Sequence, residues 1–151
     1  MIATAGPVLD LACGSGRHTR FFLDRGHPVV AVDREVAGLG DLRGTPGLEV
    51  IEADLETGAP FPLSRRRFAG VVVTWYLHRP RLADLVDSVA PGGVLLYETF
   101  GPGRDPSTRP VRPDFVLESG ELLEVVRGEL AVVAFEEGEG VQRLAAGRRP
   151  S

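Results

Sequence analysis

Short apolar stretches alternate with amphipathic segments along most of the chain. The apolar stretches are residues 7–11, 28–32, 48–51, 69–74, 93–98 and 130–135, with a weaker one at 141–145. Runs such as VVAV and GVVVT are continuous rather than alternating, which is typical of strands buried on both faces of a parallel sheet. Strands that alternate with helices in this order predict an α/β fold with right-handed crossovers and a doubly wound sheet.

Three amphipathic segments between the apolar stretches are predicted to be helices, at residues 17–25, 81–90 and 119–127. Gly26 and Gly128 would end the first and the third. Ser119 is predicted to cap the third helix at its N-terminus. The segment that follows Asp33 contains three glycines, so we expect at most a short helix there.

The ends of the first three predicted strands each carry an aspartate: Asp10, Asp33 and Asp54. In a doubly wound sheet, ligands bind beyond the carboxyl ends of the strands, where the strand order reverses. A carboxylate can pair with an ammonium group, accept from both hydroxyls of a ribose, or accept from an exocyclic amine. The three aspartates together therefore predict a site for an amino acid joined to an adenine nucleoside.

Gly14 and Gly16 flank the turn after the first strand, where glycine allows close approach of a ligand to the backbone. A dinucleotide fingerprint needs a third glycine, and this chain has Thr19 at that position. Asp10 would also repel a pyrophosphate. A nicotinamide-dependent oxidoreductase is therefore disfavoured, and a turn that binds no ligand is the other alternative.

The motifs resemble those of class I S-adenosylmethionine-dependent methyltransferases over almost the whole chain. The first motif is VLDLACGSG, with Ala12 where the family often has its first glycine, and the later ones are VVAVD, EADLE, FAGVVVTWYLH and APGGVLLYETF. Among subgroups, the chain is most similar to small bacterial tellurite-resistance-like methyltransferases. The resemblance implies a mostly parallel seven-stranded sheet whose last strand is antiparallel, and S-adenosylmethionine as the cofactor.

The resemblance also implies roles for single residues. The backbone of the first motif would line the methionine end, and Asp10 would lie near the ammonium group, directly or through water. The Thr74 carbonyl would accept from the ammonium group, and Asp33 would hold the ribose. Asp54 and the N–H of Leu55 would meet the adenine. The implied cofactor-binding residues are Asp10, Ala12, Gly14, Gly16, Asp33, Asp54, Leu55 and Thr74.

The sequence departs from the family at three places. It begins almost at the first strand, whereas relatives usually carry a preceding helical segment, so we expect one domain at residues 1–151 with a shortened N-terminus. The last two strands would be joined by a tight hairpin at EEGEG. Trp75 stands where the closest subgroup commonly has Asn. A non-catalytic cofactor-binding domain that acts through a protein partner is therefore kept as the alternative to an enzyme.

Four further features bear on the acceptor. His78 follows the fourth strand and could serve as a general base, or it could cap or pack at the next helix. Cys13 is expected to be a packing residue, because methyl transfer needs no enzyme nucleophile. Aromatic residues at the same edge, such as Trp75, would wall the site. Arg104, Arg109 and Arg112 could bind an anionic substrate or be ordinary solvated charges.

Composition narrows the partners. The 151-residue chain is 43% hydrophobic with a net charge of −4 and a pI near 5.4, which makes nucleic acid an unlikely partner. The apolar runs are too short to span a membrane, and no metal-ligand spacing occurs. One cysteine and no export signal favour the cytoplasm. We therefore expect a small-molecule methyl acceptor, and the oligomeric state stays open, a homodimer included.

Overall fold

Seven strands form one sheet in the computed structural model, which describes residues 2–151. The strands are β1 (Val8–Leu11), β2 (Val29–Asp33), β3 (Leu48–Glu52), β4 (Phe68–Thr74), β5 (Val89–Phe100), β6 (Ala131–Gly138) and β7 (Val141–Gly147). Their order in the sheet is β3-β2-β1-β4-β5-β7-β6. β7 runs antiparallel to both of its neighbours, and the other pairs are parallel. The predicted fold class is confirmed.

Short helices connect the strands. The α-helices are α1 (Arg17–Asp24), α2 (Leu82–Asp87) and α3 (Glu121–Val126), and 3-10 helices cover Ala37–Leu42, Arg79–Arg81 and Pro113–Phe115. The glycine-rich segment after Asp33 thus forms only a 3-10 helix, as predicted. No helix within residues 2–151 is long and apolar enough to cross a membrane.

The two faces of the sheet are covered unequally. Alternate strand residues, among them Leu9, Leu11, Val71 and Val73, pack with α2 and α3 in the main hydrophobic core. On the opposite face, α1 and the 3-10 helix Ala37–Leu42 lie over β1 to β3. Beyond β4, that face carries an apolar groove between α1 and the sheet, lined by Phe21, Phe22, Val72, Thr74, Leu96 and Arg143 among others.

The second predicted helix ends earlier than expected. The pattern predicts a helix over residues 81–90, but α2 ends at Asp87 and β5 begins at Val89. Val89 is fully buried and pairs with Phe68 of β4. The apolar spacing of Val89 fits a helix and a buried strand equally well, which explains the error.

The predicted cap of the third helix is wrong. α3 begins after Gly120, and the Ser119 hydroxyl donates to Glu137 Oε2 at 2.7 Å instead. Glu137 Oε1 accepts from the Gly120 N–H at 2.8 Å, and the buried Gln142 accepts from the Leu122 N–H at 2.8 Å. Side chains from β6 and β7 therefore satisfy the donors at the start of α3, and the local sequence of the helix does not reveal them.

The last two strands are joined by the expected tight hairpin. Glu139 and Gly140 connect β6 to β7 with φ angles of 53° and 80°. Two central residues with positive φ are what a two-residue turn between twisted strands requires. β6 is consequently held to β7 in register, with Phe135 opposite Leu144.

Candidate functional site

A cavity of about 260 Å³ lies at the carboxyl edge of the sheet, where the strand order reverses between β1 and β4. The connections that leave these two strands run in opposite directions, which opens a crevice between them. We call this space the acidic cavity. Its lining residues are Ala12, Asp33, Arg34, Ala53, Asp54, Leu55, Glu56, Trp75 and Tyr76.

The turn after β1 is held in left-handed backbone conformations. Ala12, Gly14 and Gly16 have φ angles of 54°, 55° and 88°. A Cβ on Gly16 would lie 2.3 Å from Leu39 Cδ2, so this glycine allows the 3-10 helix Ala37–Leu42 to pack against the turn. Of the three backbone positions predicted to line the site, the acidic cavity includes Ala12 alone.

Asp33, at the end of β2, is fixed by the same turn. Its Oδ2 accepts from the Gly14 N–H at 2.9 Å, and its Oδ1 accepts from the Glu35 N–H at 3.1 Å. A carboxylate has about four acceptor positions, so roughly two of them are left for a ligand. The half-buried carboxylate is thus oriented before any ligand arrives.

The loop after β3 carries Asp54 and Leu55 and is fixed from behind. Asp54 Oδ1 accepts from the Glu56 N–H at 2.9 Å, which closes a local turn. Arg81 is 9% exposed, and its Nε donates to the Leu55 carbonyl at 2.8 Å. Its Nη2 also donates to the Ala59 carbonyl. Arg81 is therefore a positioning residue that sequence reasoning missed, because its partners lie more than 20 residues away.

Tyr76 has a buried hydroxyl without a hydrogen-bond partner within residues 2–151. Burial, with a further contribution from the nearby Glu56 carboxylate, raises the pKa of Tyr76 to about 12, so the phenol keeps its proton. The Tyr97 hydroxyl donates to the Tyr76 carbonyl at 2.6 Å and fixes the backbone at this point. A buried hydroxyl in a cavity wall needs a partner, which a ligand or a water molecule can supply.

Trp75 adopts a strained backbone conformation next to Tyr76. Its φ is 54°, in a region that bulky residues rarely occupy, and its N–H donates to the Glu98 carbonyl at 2.9 Å. Such strain is concentrated at functional sites, where the surrounding structure maintains it. The turn directs the chain out of β4 along the edge of the acidic cavity.

Asp10 and Thr74 do not line the acidic cavity, although the resemblance places both near the ammonium group. Both lie on the sheet face that α1 covers. Asp10 is 1% exposed and accepts from the Thr19 hydroxyl at 2.7 Å, and burial raises its pKa. Thr74 lies instead among the residues of the apolar groove.

His78 lies beside the site rather than in its wall. Its Nδ1 is 3.6 Å from Glu56 Oε1, and Glu56 lines the acidic cavity. The residue also precedes the 3-10 helix Arg79–Arg81 without making a side-chain cap. Its role as a general base stays a prediction.

Cys13 packs inside the turn, as predicted. It is 9% exposed and contacts the small cluster formed by Ala31, Val36 and Leu39. Burial raises the pKa of its thiol to about 12, so it is not a nucleophile at neutral pH. Within the described residues, no group of three or more His, Cys, Asp and Glu side chains is arranged to hold a metal ion.

Two further cavities adjoin the acidic cavity through shared wall residues. The aromatic cavity, about 240 Å³, is lined by Trp75, Tyr76, Leu77, Thr99, Phe100, Val111 and Phe115. The arginine cavity, about 440 Å³, is lined by Phe100, Arg104, Thr108, Arg109, Pro110, Val111, Arg112 and Phe115. Each shares wall residues with the one before it, so the three cavities form a row.

The base of the loop at residues 101–114 is held by Arg79. Its guanidinium binds Glu121 with distances of 2.8 and 2.9 Å and also donates to the Asp114 and Val116 carbonyls at 3.1 and 3.0 Å. The hydrogen-bonded Arg79 guanidinium lowers the pKa of Glu121. The loop itself lacks regular structure apart from the 3-10 helix Pro113–Phe115.

Comparison with known proteins agrees with this geometry. Residues 8–93 match the methyltransferase domain family. A trans-aconitate 2-methyltransferase of Azoarcus sp. is 34% identical over 112 residues, which are 72% of this chain and 44% of that protein. The chain spans under half the length of the curated relatives it matches.

Solved structures share the fold. TehB from Haemophilus influenzae superposes with a TM-score of 0.75 at 17% identity, covering 98% of this chain and 59% of that one. A 1,6-didemethyltoxoflavin-N1-methyltransferase of Burkholderia thailandensis, solved with bound 1,6-didemethyltoxoflavin and S-adenosylhomocysteine, superposes with a TM-score of 0.70 at 22% identity, covering 95% of this chain and 71% of that one. The sheet order and the ligand edge define the class I S-adenosylmethionine-dependent methyltransferase fold. The chain belongs to the methyltransferase domain family.

Proposed function

We propose that this chain transfers a methyl group from S-adenosylmethionine to a small-molecule acceptor. The observation that carries the proposal is the acidic cavity, which lies where the strand order reverses. In its wall, the N–H groups of Gly14 and Glu35 orient the Asp33 carboxylate and leave part of its acceptor capacity for a ligand. The family match and the names of the relatives, which are methyltransferases, support the same activity.

The residues of the acidic cavity fit the proposed cofactor. Its wall carries three carboxylates and one guanidinium, a balance that repels phosphates and suits an uncharged nucleoside joined to a cationic sulfonium. Tyr76 also lines this cavity, and its buried hydroxyl has no hydrogen-bond partner within residues 2–151. A nicotinamide dinucleotide, with its pyrophosphate, fits this wall poorly.

The chain's own residues then divide the work of binding. We propose that Asp33 accepts from the ribose hydroxyls, that Asp54 accepts from the adenine amine, and that the Leu55 N–H donates to a ring nitrogen. The turn from Ala12 to Gly16 would hold the methionine end. Asp10, buried behind that turn, would act on the ammonium group through the field of its charge, and the Thr74 carbonyl would accept from it.

Catalysis would rest on the alignment of the acceptor with the methyl group of the cofactor. The cofactor supplies an electrophilic methyl group on a sulfonium, so no protein nucleophile is needed. Trp75 and Tyr76 lie in the walls of both the acidic and the aromatic cavity, and would align the acceptor with the methyl group. His78 would accept a proton from a hydroxyl or ammonium acceptor, with Glu56 orienting its ring.

We further propose that residues 1–151 act as one methyltransferase domain in the bacterial cytoplasm. The bacterial relatives and the single cysteine support this location. The net charge of −4 argues against nucleic acid as the acceptor. The alternative of a non-catalytic cofactor-binding domain is not favoured, because the relatives are named as enzymes.

The proposal is tested by incubating the protein with S-adenosylmethionine labelled in its methyl group and an extract of bacterial metabolites. We expect a labelled small molecule that depends on wild-type protein. The Asp33→Ala variant should form little of it, and Asp24→Ala, which removes an exposed acid at the end of α1, should form as much as wild type. Cofactor binding without any labelled product would instead support the non-catalytic alternative.

A further inference from the structure

The arginine cavity has an unusual charge for this protein. Its wall contains Arg104, Arg109 and Arg112 and no acidic residue, although the chain has 21 acidic and 17 basic residues in total. Arg112 forms an ion pair with Asp114 at 3.2 Å, in which both side chains are about three-quarters exposed, so the pair neutralises little. The cavity is therefore a local positive site on a negatively charged protein.

Two of the arginines lack an acidic partner within residues 2–151. Arg104 lies over the Phe100 ring at 4.4 Å, and its Nη2 donates to the Arg109 carbonyl at 2.5 Å. This arrangement fixes the guanidinium and leaves its Nε and Nη1 donors without an acceptor in the described residues. The Arg109 guanidinium makes no hydrogen bond or ion pair there. Two pairs of open donors are suited to an oxyanion, which guanidinium groups bind in a two-pronged fashion.

The same two arginines also border a larger depression of about 720 Å³ on the loop. Its wall includes the acids Asp105, Asp114 and Glu118, which would weaken the binding of an anion there. This depression does not include Trp75 or Tyr76. Of the two, only the arginine cavity has no acid in its wall, and it shares Phe100, Val111 and Phe115 with the aromatic cavity.

The row of cavities fixes the order of groups on the ligand. Phe100, Val111 and Phe115 line both the aromatic and the arginine cavity, while Trp75 and Tyr76 line both the aromatic and the acidic cavity. A molecule in the aromatic cavity thus contacts wall residues of the acidic cavity on one side and wall residues of the arginine cavity on the other. The aromatic walls favour a flat, apolar body between the two ends.

We propose, on the basis of the proposed function, that the methyl acceptor is a small aromatic or similarly flat carboxylic acid. Its carboxylate is anchored by Arg104 and Arg109, and a hydroxyl or amine at its opposite end receives the methyl group. A lone pair of that oxygen or nitrogen forms the new bond to the methyl carbon while the carbon–sulfur bond breaks. The electron pair of the broken bond stays on sulfur, and the acceptor's proton passes to a base or to water.

A carboxylate suits the site better than a phosphate ester. The anchored group lies one cavity away from the carboxylates Asp33, Asp54 and Glu56, which repel a dianion more strongly than a monoanion.

The single tryptophan of the chain makes the proposal measurable. Trp75 lies at the junction of the acidic and aromatic cavities, so its fluorescence reports a ligand in either one. Wild-type protein is first titrated with S-adenosylhomocysteine, which tests the proposed function by itself. The saturated complex is then titrated with hydroxy- and aminobenzoates, the methyl esters of the same acids, and the matching phenyl phosphates.

We expect saturable quenching by at least one of the acids and much weaker binding of its ester and of the phosphate. The Arg104→Gln/Arg109→Gln variant should bind that acid about 10- to 100-fold more weakly, because charge-assisted hydrogen bonds are lost. Arg104→Lys, which keeps the charge but not the fork, should show a smaller loss. A matched double variant, Arg65→Gln/Arg67→Gln, removes two charges from the distant loop before β4 and should bind as wild type does.

The result distinguishes the two proposals. Failure of S-adenosylhomocysteine to bind overturns the proposed function, whereas normal cofactor binding in every variant leaves it intact. The carboxylate proposal is overturned if no acid quenches at millimolar concentration, if esters or phosphates bind as tightly as acids, or if the Arg104→Gln/Arg109→Gln variant binds the acid like wild type.

Discussion

The acidic cavity and the arginine cavity, at the two ends of the row of cavities, are built in different ways. The acidic cavity is formed by short turns at the ends of strands, and two of its three carboxylates, those of Asp33 and Asp54, accept from backbone N–H groups. The arginine cavity is formed by a long proline-rich loop with opposite charge, tied down mainly at its base. A rigid acidic end suits a cofactor that never changes, and a separate basic end suits a substrate that differs between related enzymes.

One short element supports both ends. In the 3-10 helix Arg79–Arg81, Arg79 binds the base of the loop through Glu121 and two carbonyls, while Arg81 binds the Leu55 and Ala59 carbonyls behind the acidic cavity. Substitution of Arg81 therefore affects the support of the acidic cavity, and substitution of Arg79 affects the support of the loop that forms the arginine cavity.

The largest effect is expected from Arg81→Met. The change leaves the carbonyl of the buried Leu55 and that of Ala59 without their donor, and we expect the free energy of unfolding to fall by about 3 kcal/mol and cofactor affinity to fall with it. Arg79→Met acts at a more exposed pair and should cost about 1 kcal/mol, with the larger loss in binding of aromatic acids. Urea denaturation and fluorescence titration measure both. Equal losses of cofactor affinity in the two variants would contradict the inference that Arg81 and Arg79 support different cavities.

Asp33→Ala should be nearly as severe for binding while leaving the fold largely intact. Loss of two charge-assisted hydrogen bonds to the ribose should weaken S-adenosylmethionine binding about 100-fold. Titration calorimetry measures the change, and the exposed Asp24→Ala serves as the control. An unchanged dissociation constant would show that the cofactor does not use the end of β2.

The pair at the base of the loop should make stability depend on pH. Arg79 lowers the pKa of Glu121, so the ionised carboxyl stabilises the fold above its unfolded pKa, and this contribution is lost as the pH falls through the lowered value. Glu121→Gln should therefore lower the unfolding free energy by about 1 kcal/mol near neutral pH and less in acid. Glu124→Gln on the same helix removes a more exposed ion pair, and its effect on the unfolding free energy should not differ between neutral and acidic pH.

A smaller effect on the unfolding free energy is expected from replacing alanines that have a positive φ angle. Ala12 has a φ of 54°, and Ala5, far from the cavity, has a φ of 59°. Replacing either by glycine should raise the unfolding free energy by about 0.5 kcal/mol, because the relieved strain slightly exceeds the added chain entropy. Thermal unfolding would show the gain. Destabilisation by Ala12→Gly alone would mean that the alanine methyl makes contacts that outweigh the strain.

The sequence predicted the acidic end better than the basic end for a physical reason. Asp33 ends β2 and Asp54 lies two residues beyond the end of β3, and each accepts from a backbone N–H in its own turn, so strand pattern and motif suffice to place them. Arg81, Gln142 and the stacking of Arg104 on Phe100 depend on contacts made only after the chain has folded. The sequence identifies the arginines of the loop as candidate anion ligands, but it does not predict the cavity that they share.

The same distinction explains the errors. Val89 fits a helix by spacing but pairs with β4, and Ser119 has the chemistry of a cap but is taken by Glu137 from β6. In both cases a partner distant in the sequence overrides a local preference. Asp10 is buried under α1 and is not in the wall of the acidic cavity, so its role at the ammonium group stays a prediction.

The central claim is that the acid-lined cavity binds a sulfonium nucleoside rather than a phosphate-bearing cofactor. Titration calorimetry of wild-type protein with S-adenosylmethionine, S-adenosylhomocysteine and NAD tests it most directly. We predict that the first two bind at micromolar concentrations and that NAD gives no heat of binding. Binding of NAD, or failure of both S-adenosyl compounds to bind, would contradict it.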